Sequence, residues 1–314
     1  MNEVALQFTT DVAPVDRLLR GLVRLIERTF PARVRGFYLE GSYADGSAVA
    51  TSDVDLRVVF KDTITADEQQ RGAALVAGLK DGSWPAVDLK LEAEEALLRV
   101  GAVRFQHGTQ LVYGTDIRAQ VPLKPIASYI RDTVHFPYVL FSRLRDNPPV
   151  LPYPLDYPDP DGAVYGYDRR AVVAPDGTRR ASTKDLVLSV VCTATALVAL
   201  DAGQYVVTKR DCLPQYRRWI GDAWTGLVAA VDEQCRRRWA YLVPVSAAER
   251  RQLRALCTQT LAFETHFLGR YRTYLLADLR HPDAAIRQRA GQRLARIGYR
   301  DAAVSEALAS LRSM

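Results

Sequence analysis

The sequence predicts an α+β protein: a small mixed β-sheet with flanking helices within residues 1–122, then an all-helical region over residues 123–314. Three observations predict it. Short segments in the first 120 residues alternate apolar and polar residues, as half-buried strands do. After Ser182 apolar residues recur at helical spacing nearly to the end of the chain. Between these regimes, residues 147–181 are rich in Pro, Asp, Tyr and Gly and follow neither period, which reads as a long irregular connection.

A chain of 314 residues suggests two domains. Its apolar fraction of 48% and charged fraction of 25% are those of globular proteins, which excludes a disordered chain. No uninterrupted apolar run reaches the length of a membrane span, and the first residues lack a basic segment followed by an apolar one. The expectation is a cytoplasmic protein with no membrane partner, monomeric or homodimeric. The four cysteines, Cys192, Cys212, Cys235 and Cys257, show no C-x-x-C spacing and read as reduced, structural residues. The net charge of +6 is carried mostly by scattered arginines. That excess alone does not make the chain a nucleic-acid binder. The one dense cluster, Arg236-Arg237-Arg238, reads as a solvated helix face.

In order, residues 14–30 form an amphipathic helix through Val15, Leu18, Leu19, Leu22, Val23 and Ile26, stopped by Pro31. A strand over residues 35–39 runs into Gly41-Ser42. A second strand covers 54–60, and a helix covers 66–79. A third strand over 86–91 sets Val87, Leu89 and Leu91 on one face, with Asp88, Lys90 and Glu92 on the other. A fourth, over 110–113, ends at Gly114. A helix over 126–144 opens the second half. A hairpin is expected where Val172-Val173 precedes the Asp176-Gly177 turn signal. Ser182, with Asp185 three residues on, is the expected cap of a buried helix through Leu186 to Leu200. Further helices are expected at 213–219, 224–241, 246–276 and 282–311, the last as a terminal helix pair.

The chemistry lies between Phe37 and Phe60. A strand ends in Gly41-Ser42, a turn-rich loop follows, and the next strand opens on Asp53-Val54-Asp55. Residues i and i+2 of a strand point the same way, so Asp53 and Asp55 project together. Two such carboxylates repel unless a cation neutralises them, and Mg²⁺ bound by one or two carboxylates plus phosphate oxygens is the usual arrangement. Gly41 lets a phosphate approach the backbone, and Ser42 offers it a hydroxyl and an N–H. Asp88 joins the pair if its strand lies beside the second, with Glu92 on the same face as its rival.

Leu39-Glu40-Gly41-Ser42 through Ser52-Asp53-Val54-Asp55-Leu56 resembles the signature of the DNA polymerase β-like nucleotidyltransferase superfamily, and within it the bacterial antibiotic nucleotidyltransferases of the aminoglycoside adenylyltransferase type. Val87-Asp88-Leu89 resembles that family's third-carboxylate strand, and Gly114-Thr115-Asp116 followed by Pro122 resembles the end of its catalytic domain. The resemblance implies a catalytic domain over 1–122 and a helical domain over 123–314. It implies Asp53, Asp55 and Asp88 as Mg²⁺ ligands, with Asp88 as metal ligand or base, and Ser42 and Ser52 as phosphate contacts. Val207-Thr208-Lys209-Arg210-Asp211 resembles the segment whose lysine meets the triphosphate, and Ala240-Tyr241-Leu242 resembles a later tyrosine near the nucleotide. The implied reaction transfers AMP from ATP to a hydroxyl of a small acceptor such as an aminoglycoside, and releases pyrophosphate. A polycationic acceptor needs acids, for which Asp156, Asp159, Asp161, Asp185 and Glu264 are candidates. Two alternatives stand: transfer to a macromolecule, protein or tRNA, as in toxin–antitoxin nucleotidyltransferases, and a catalytically silent nucleotide-binding regulator.

Overall fold

The fold is described from a computed structural model, in residues 4–79 and 84–312. It is α+β. The chain divides into two compact units: Met1–Tyr129 with Ala171–Arg180 and Tyr205–Gln215, and Ile130–Arg170 with Ala181–Gln204 and Tyr216–Met314. Compactness therefore does not follow a single cut along the chain, since two later segments join the first unit.

The first unit is built on a four-stranded mixed sheet in the order β3-β2-β1-β4. Its strands are β1 (Val34–Glu40), β2 (Val54–Phe60), β3 (Val87–Ala93) and β4 (Thr109–Gly114). β1 runs antiparallel to both β2 and β4, whereas β2 and β3 are parallel. Strand alternation divides the sheet into two faces. On one, Phe37, Leu39, Val54, Leu56, Val58, Phe60, Val87 and Leu89 pack in one core with helix α1 (Ala13–Thr29), which contributes Val15, Leu19, Leu22, Val23 and Ile26. Proline near the first position of α1 and Asp16 in its first turn start that helix, and Asp16 accepts the Thr10 N–H at 2.9 Å. On the other face, Tyr38 and Val59 join Phe105, Leu97, Ile117 and Val121 in a smaller cluster. The rest of that face carries charge.

Helix α2 (Ala66–Leu79) links β2 to β3. Two short helices that the spacing does not announce, α3 (Glu94–Val100) and α4 (Val103–Gly108), link β3 to β4. Gly101 breaks the helical run between them at φ +74°, too early for either to show a full period. The expected hairpin forms between β5 (Ala171–Val173) and β6 (Arg179–Ala181), with Ala174 donating to the Thr178 carbonyl at 2.9 Å.

The second unit is helical: most of α5 (Ile126–Leu144), α6 (Lys184–Ala202), the end of α7 (Lys209–Trp219), α8 (Thr225–Ala230), a π-helical stretch (Val231–Arg238), α9 (Ala247–Asp278), α10 (Ala284–Leu294) and α11 (Ala302–Arg312). Helix α6 is long and apolar enough to cross a membrane by length and composition, although 61% of its apolar window is buried in the protein, as in a core helix. Its expected cap differs. The Ser182 hydroxyl donates to the Arg170 carbonyl at 2.6 Å, and Asp185 accepts the Arg170 N–H at 3.1 Å, so both side chains are spent on residue 170 rather than on each other. The Arg236–Arg238 cluster is not a uniformly solvated face. Arg236 is 3% exposed and paired with Asp232, whereas Arg238 is exposed and paired with Glu249. The four cysteines are free.

Candidate active site

The site is assembled where β1 ends and β2 begins. After Glu40, Gly41–Tyr43 make a single 3-10 turn. The loop then folds on its own polar groups. Asp45 accepts the Ser47 N–H at 3.0 Å, and the Ser52 oxygen accepts the Val49 N–H at 2.9 Å. Ser52 is buried at 3% exposure, so it fastens the loop that delivers Asp53 and Asp55. The indole N–H of Trp84 closes the loop's outer side on the Ala50 carbonyl at 3.0 Å.

Gly41 sits at φ +74°, where a side chain is strained, and a Cβ there would fall on Oδ2 of Asp55. The glycine's missing side chain is thus the space the Asp55 carboxylate occupies. Glu40 pairs with Asp55 across β1 and β2, and Asp55 pairs with Asp88 across β2 and β3. Asp88 therefore stands on the strand beside Asp55, as expected if β3 adjoined β2, but it is exposed. Among the described residues no group of three or more His, Cys, Asp or Glu side chains is gathered closely enough to hold a metal ion. The expectation that three carboxylates converge is not met in the side chains. Asp55 turns in toward Gly41, and Asp88 stays at the open edge of the same face.

Electrostatics distinguish Asp55 from its neighbours. Burial, then the Asp53 carboxylate, push its pKa up to about 7, against the pull of Lys209. Tyr43 is raised as well, by burial and then by Asp53. Lys209 belongs to the first unit through the 205–215 segment and opens α7. A reciprocal cap holds that start. Thr208 donates through its hydroxyl to Asp211 at 2.8 Å, and Asp211 N–H returns to the Thr208 hydroxyl at 3.3 Å. Arg210 donates to the Asp45 carbonyl at 2.9 Å, so the α7 start is tied to the Gly41–Ser52 loop.

Sequence reasoning missed the network beside the pair. Arg57 reaches Glu40 at 2.6 Å and Glu92 at 2.5 Å, and Arg104 reaches Glu40 at 3.1 Å. Glu92, the rival to Asp88, is thereby occupied by Arg57. Burial would raise the Glu40 pKa, but Arg57, Arg104 and Lys90 outweigh it and hold the group below its ordinary value. Lys90, on the Asp88 face of β3, acts on both Glu40 and Asp55. Register alone reveals this network, because its members lie 17 and 35 residues apart.

Tyr241 lies in the second unit, 4% exposed, at φ 64°, with the Lys184 ammonium 5.6 Å above its ring. Its carbonyl accepts the Thr183 N–H at 2.6 Å. Of the acids expected to line an acceptor pocket, Glu264 is wholly buried and its oxygens are taken by Arg145, Tyr167 and Ser189. Asp185 is 4% exposed and pairs with Arg170 at 3.2 Å. They hold Tyr167 and Arg170 of the long connection to the helices. Asp156, Asp159 and Asp161 are exposed.

The donor set suits a hard cation. It offers carboxylate oxygens only, and Asp55 faces Asp53 with no ion pair of its own among the described residues. No protein-family model matches the sequence, and no curated protein matches it. Among solved structures, a spectinomycin adenyltransferase, AAD(9), from Enterococcus faecialis with ATP and spectinomycin overlaps 79% of this chain and 98% of its own length, at 11% identity and a TM-score of 0.44.

Proposed function

We propose that the protein is a nucleotidyltransferase that moves a nucleoside monophosphate, AMP from ATP, to a hydroxyl of a small acceptor such as an aminoglycoside. One observation carries the reading. A half-buried carboxylate, Asp55, is held in the space left by Gly41, beside a second carboxylate and under the influence of Lys209. The neighbouring Glu40 has arginine partners in the fold, whereas Asp55 stands beside a second carboxylate, an arrangement that suits a divalent cation.

In the proposed reaction the acceptor oxygen bonds to the α-phosphorus, the bond from that phosphorus to the β-phosphate oxygen breaks, and pyrophosphate leaves. Mg²⁺, when bound, supplies charge stabilisation at the α-phosphate and at the leaving group. Asp53 and Asp55 are the residues that would hold it, with phosphate oxygens completing its shell. Asp88, beside Asp55 in register and open to solvent, takes the acceptor's proton. Lys209 offsets charge on the leaving pyrophosphate; its place at the start of α7 is held by the Thr208–Asp211 cap and by Arg210 on the Asp45 carbonyl. Gly41 and Ser42 contact the phosphates through backbone and hydroxyl, and Ser52 supports the loop. Tyr241 is the residue proposed to lie near the base.

The test is incubation with ATP, Mg²⁺ and a panel of aminoglycosides, following pyrophosphate. Release that depends on one acceptor and is lost in Asp53→Ala supports the reading. Release no greater than without acceptor, across the panel, removes the small-acceptor assignment.

A further inference from the structure

A second charged surface lies in the helical unit, on α5, α9 and α10. Between Arg280 and Arg300 the chain carries six arginines and a single acid, Asp283. Arg289, Arg293 and Arg296 follow one another at i, i+4 and i+7, on one side of α10 and its final turn. Arg131, His135 and Tyr138 have the same spacing on α5. The two rows face each other. Arg293 hydrogen-bonds Nε2 of His135, and Arg296 bonds the Tyr138 hydroxyl. The remaining cations acting on His135 are Arg131 and Arg289. From α9, Tyr271 hydrogen-bonds Nδ1 of His135 at 2.7 Å, and Tyr274 spends its hydroxyl on Asp278.

Elsewhere in this unit arginines meet acids, as in Arg145–Glu264, Arg270–Asp201 and Arg272–Asp301. Here the described residues give Arg289, Arg293 and Arg296 no carboxylate. Arg289 donates to the Ala285 carbonyl, Arg293 to a histidine and Arg296 to a phenol. The Nε of Arg131 is buried without a hydrogen-bond partner. The dipole at the C-terminal end of α10 favours Arg293 and Arg296, but it does not account for Arg289 in the helix interior or for Arg131 on another helix. Three guanidinium groups, Arg131, Arg289 and Arg293, act on one imidazole, with Arg296 one turn on against Tyr138, and these like charges repel one another. A multiply charged anion removes that repulsion, and the guanidinium fork matches phosphate geometry. The α10 row spans about 10 Å of helix, longer than a single phosphate.

We propose that Arg131, Arg289, Arg293 and Arg296 form a binding site for a chain of phosphates, separate from the nucleotidyl-transfer residues and independent of the function proposed above. The chain can come from a free polyphosphate or from a nucleic-acid backbone, and one experiment separates them. Binding of a fluorescein-labelled single-stranded RNA octamer and of inorganic tripolyphosphate is measured on the full chain over a range of salt. The wild type is compared with Arg289→Ala/Arg296→Ala, two exposed side chains. An equal loss of charge in Arg217→Ala/Arg251→Ala, also exposed, serves as control. The site predicts at least a tenfold loss in the first variant and under twofold in the control. For RNA it also predicts a salt slope shallower by about 1.4, the value for two lost phosphate contacts on a single strand. Loss confined to RNA identifies a nucleic-acid backbone, and loss confined to tripolyphosphate identifies a free polyphosphate. Equal losses in the two variants, or no binding of either probe by the wild type at 100 mM salt, overturn the proposal.

Discussion

Two groups of acids stand on the same face of one sheet and are treated in opposite ways. Glu40 and Glu92 are clamped by Arg57, and Glu40 by Arg104 as well. Their charges are neutralised within the protein, and the Glu40 carboxyl stays below its ordinary pKa. Directly opposite Glu40 in register, Asp55 lies beside Asp53, and burial and that neighbour lift it to about 7. The difference separates acids whose charge is met by arginines within the fold from Asp55, the carboxylate proposed to take a cation.

The largest expected effect breaks the second group. Asp55→Asn removes the charge but keeps the shape. Turnover with Mg-ATP and an acceptor falls by about 10²–10³-fold or more, the scale for loss of one electrostatic stabiliser. Thermal melting stays level or rises, because a repulsion is relieved. A variant that melts well below wild type would make Asp55 structural. Arg57→Ala does the reverse. It leaves buried Glu40 with Arg104 as its one remaining arginine partner and costs about 2–3 kcal/mol in urea unfolding, short of the full cost of an unpaired buried charge. A change under about 1 kcal/mol, the scale of an exposed ion pair, would remove the distinction between the groups.

Gly41→Ala sharpens the boundary between them. The backbone term for a left-handed residue is about 1–2 kcal/mol. The added methyl also displaces the Asp55 carboxylate, and a shift of about 1 Å in a reacting group costs about 10²-fold in turnover. Unchanged activity would show that the Asp55 position is not set by the glycine.

The smallest effect lies in the helical unit and extends the contrast to a base. His135 is held neutral, its pKa pushed down to about 3 by burial and then by Arg293, Arg131 and Arg289. The groups facing it are Arg131 on its own helix, Arg289 and Arg293 from α10, and the neutral Tyr271 and Tyr274 from α9. Its ordinary pKa is about 6.5, so below that value the unfolded chain binds a proton that the folded chain refuses. Stability is lost as pH falls from about 6.5 toward 3, and this contribution is flat above that window. His135→Gln shows a shallower decline in urea midpoint between pH 7.5 and 4.5. Parallel declines would place the titrating groups elsewhere.

The strands and the acid pair were legible because they rest on local pattern. Period-two alternation fixes the β3 faces, and Gly41-Ser42 before Asp53-Val54-Asp55 places two like residues on one side of a strand. What depends on partners distant in sequence was not legible. Arg57 reads as one more strand residue until register sets it between Glu40 and Glu92. Glu264 reads as a pocket acid until three side chains are seen to consume it. Ser182 and Asp185 have the spacing of a cap, yet a carbonyl and an N–H of residue 170 compete successfully for them. The α10 arginines have visible helical spacing, but only packing against α5 shows that they share a focus.

The proposed function requires that Asp53 and Asp55 form a cation-dependent triphosphate site. Calorimetric titration with a nonhydrolysable ATP analogue tests it most directly, with and without Mg²⁺, on the wild type and on Asp55→Asn. The account predicts binding that requires Mg²⁺ in the wild type and a loss of at least tenfold in the variant. Equal affinity without the metal, or in the variant, would contradict it.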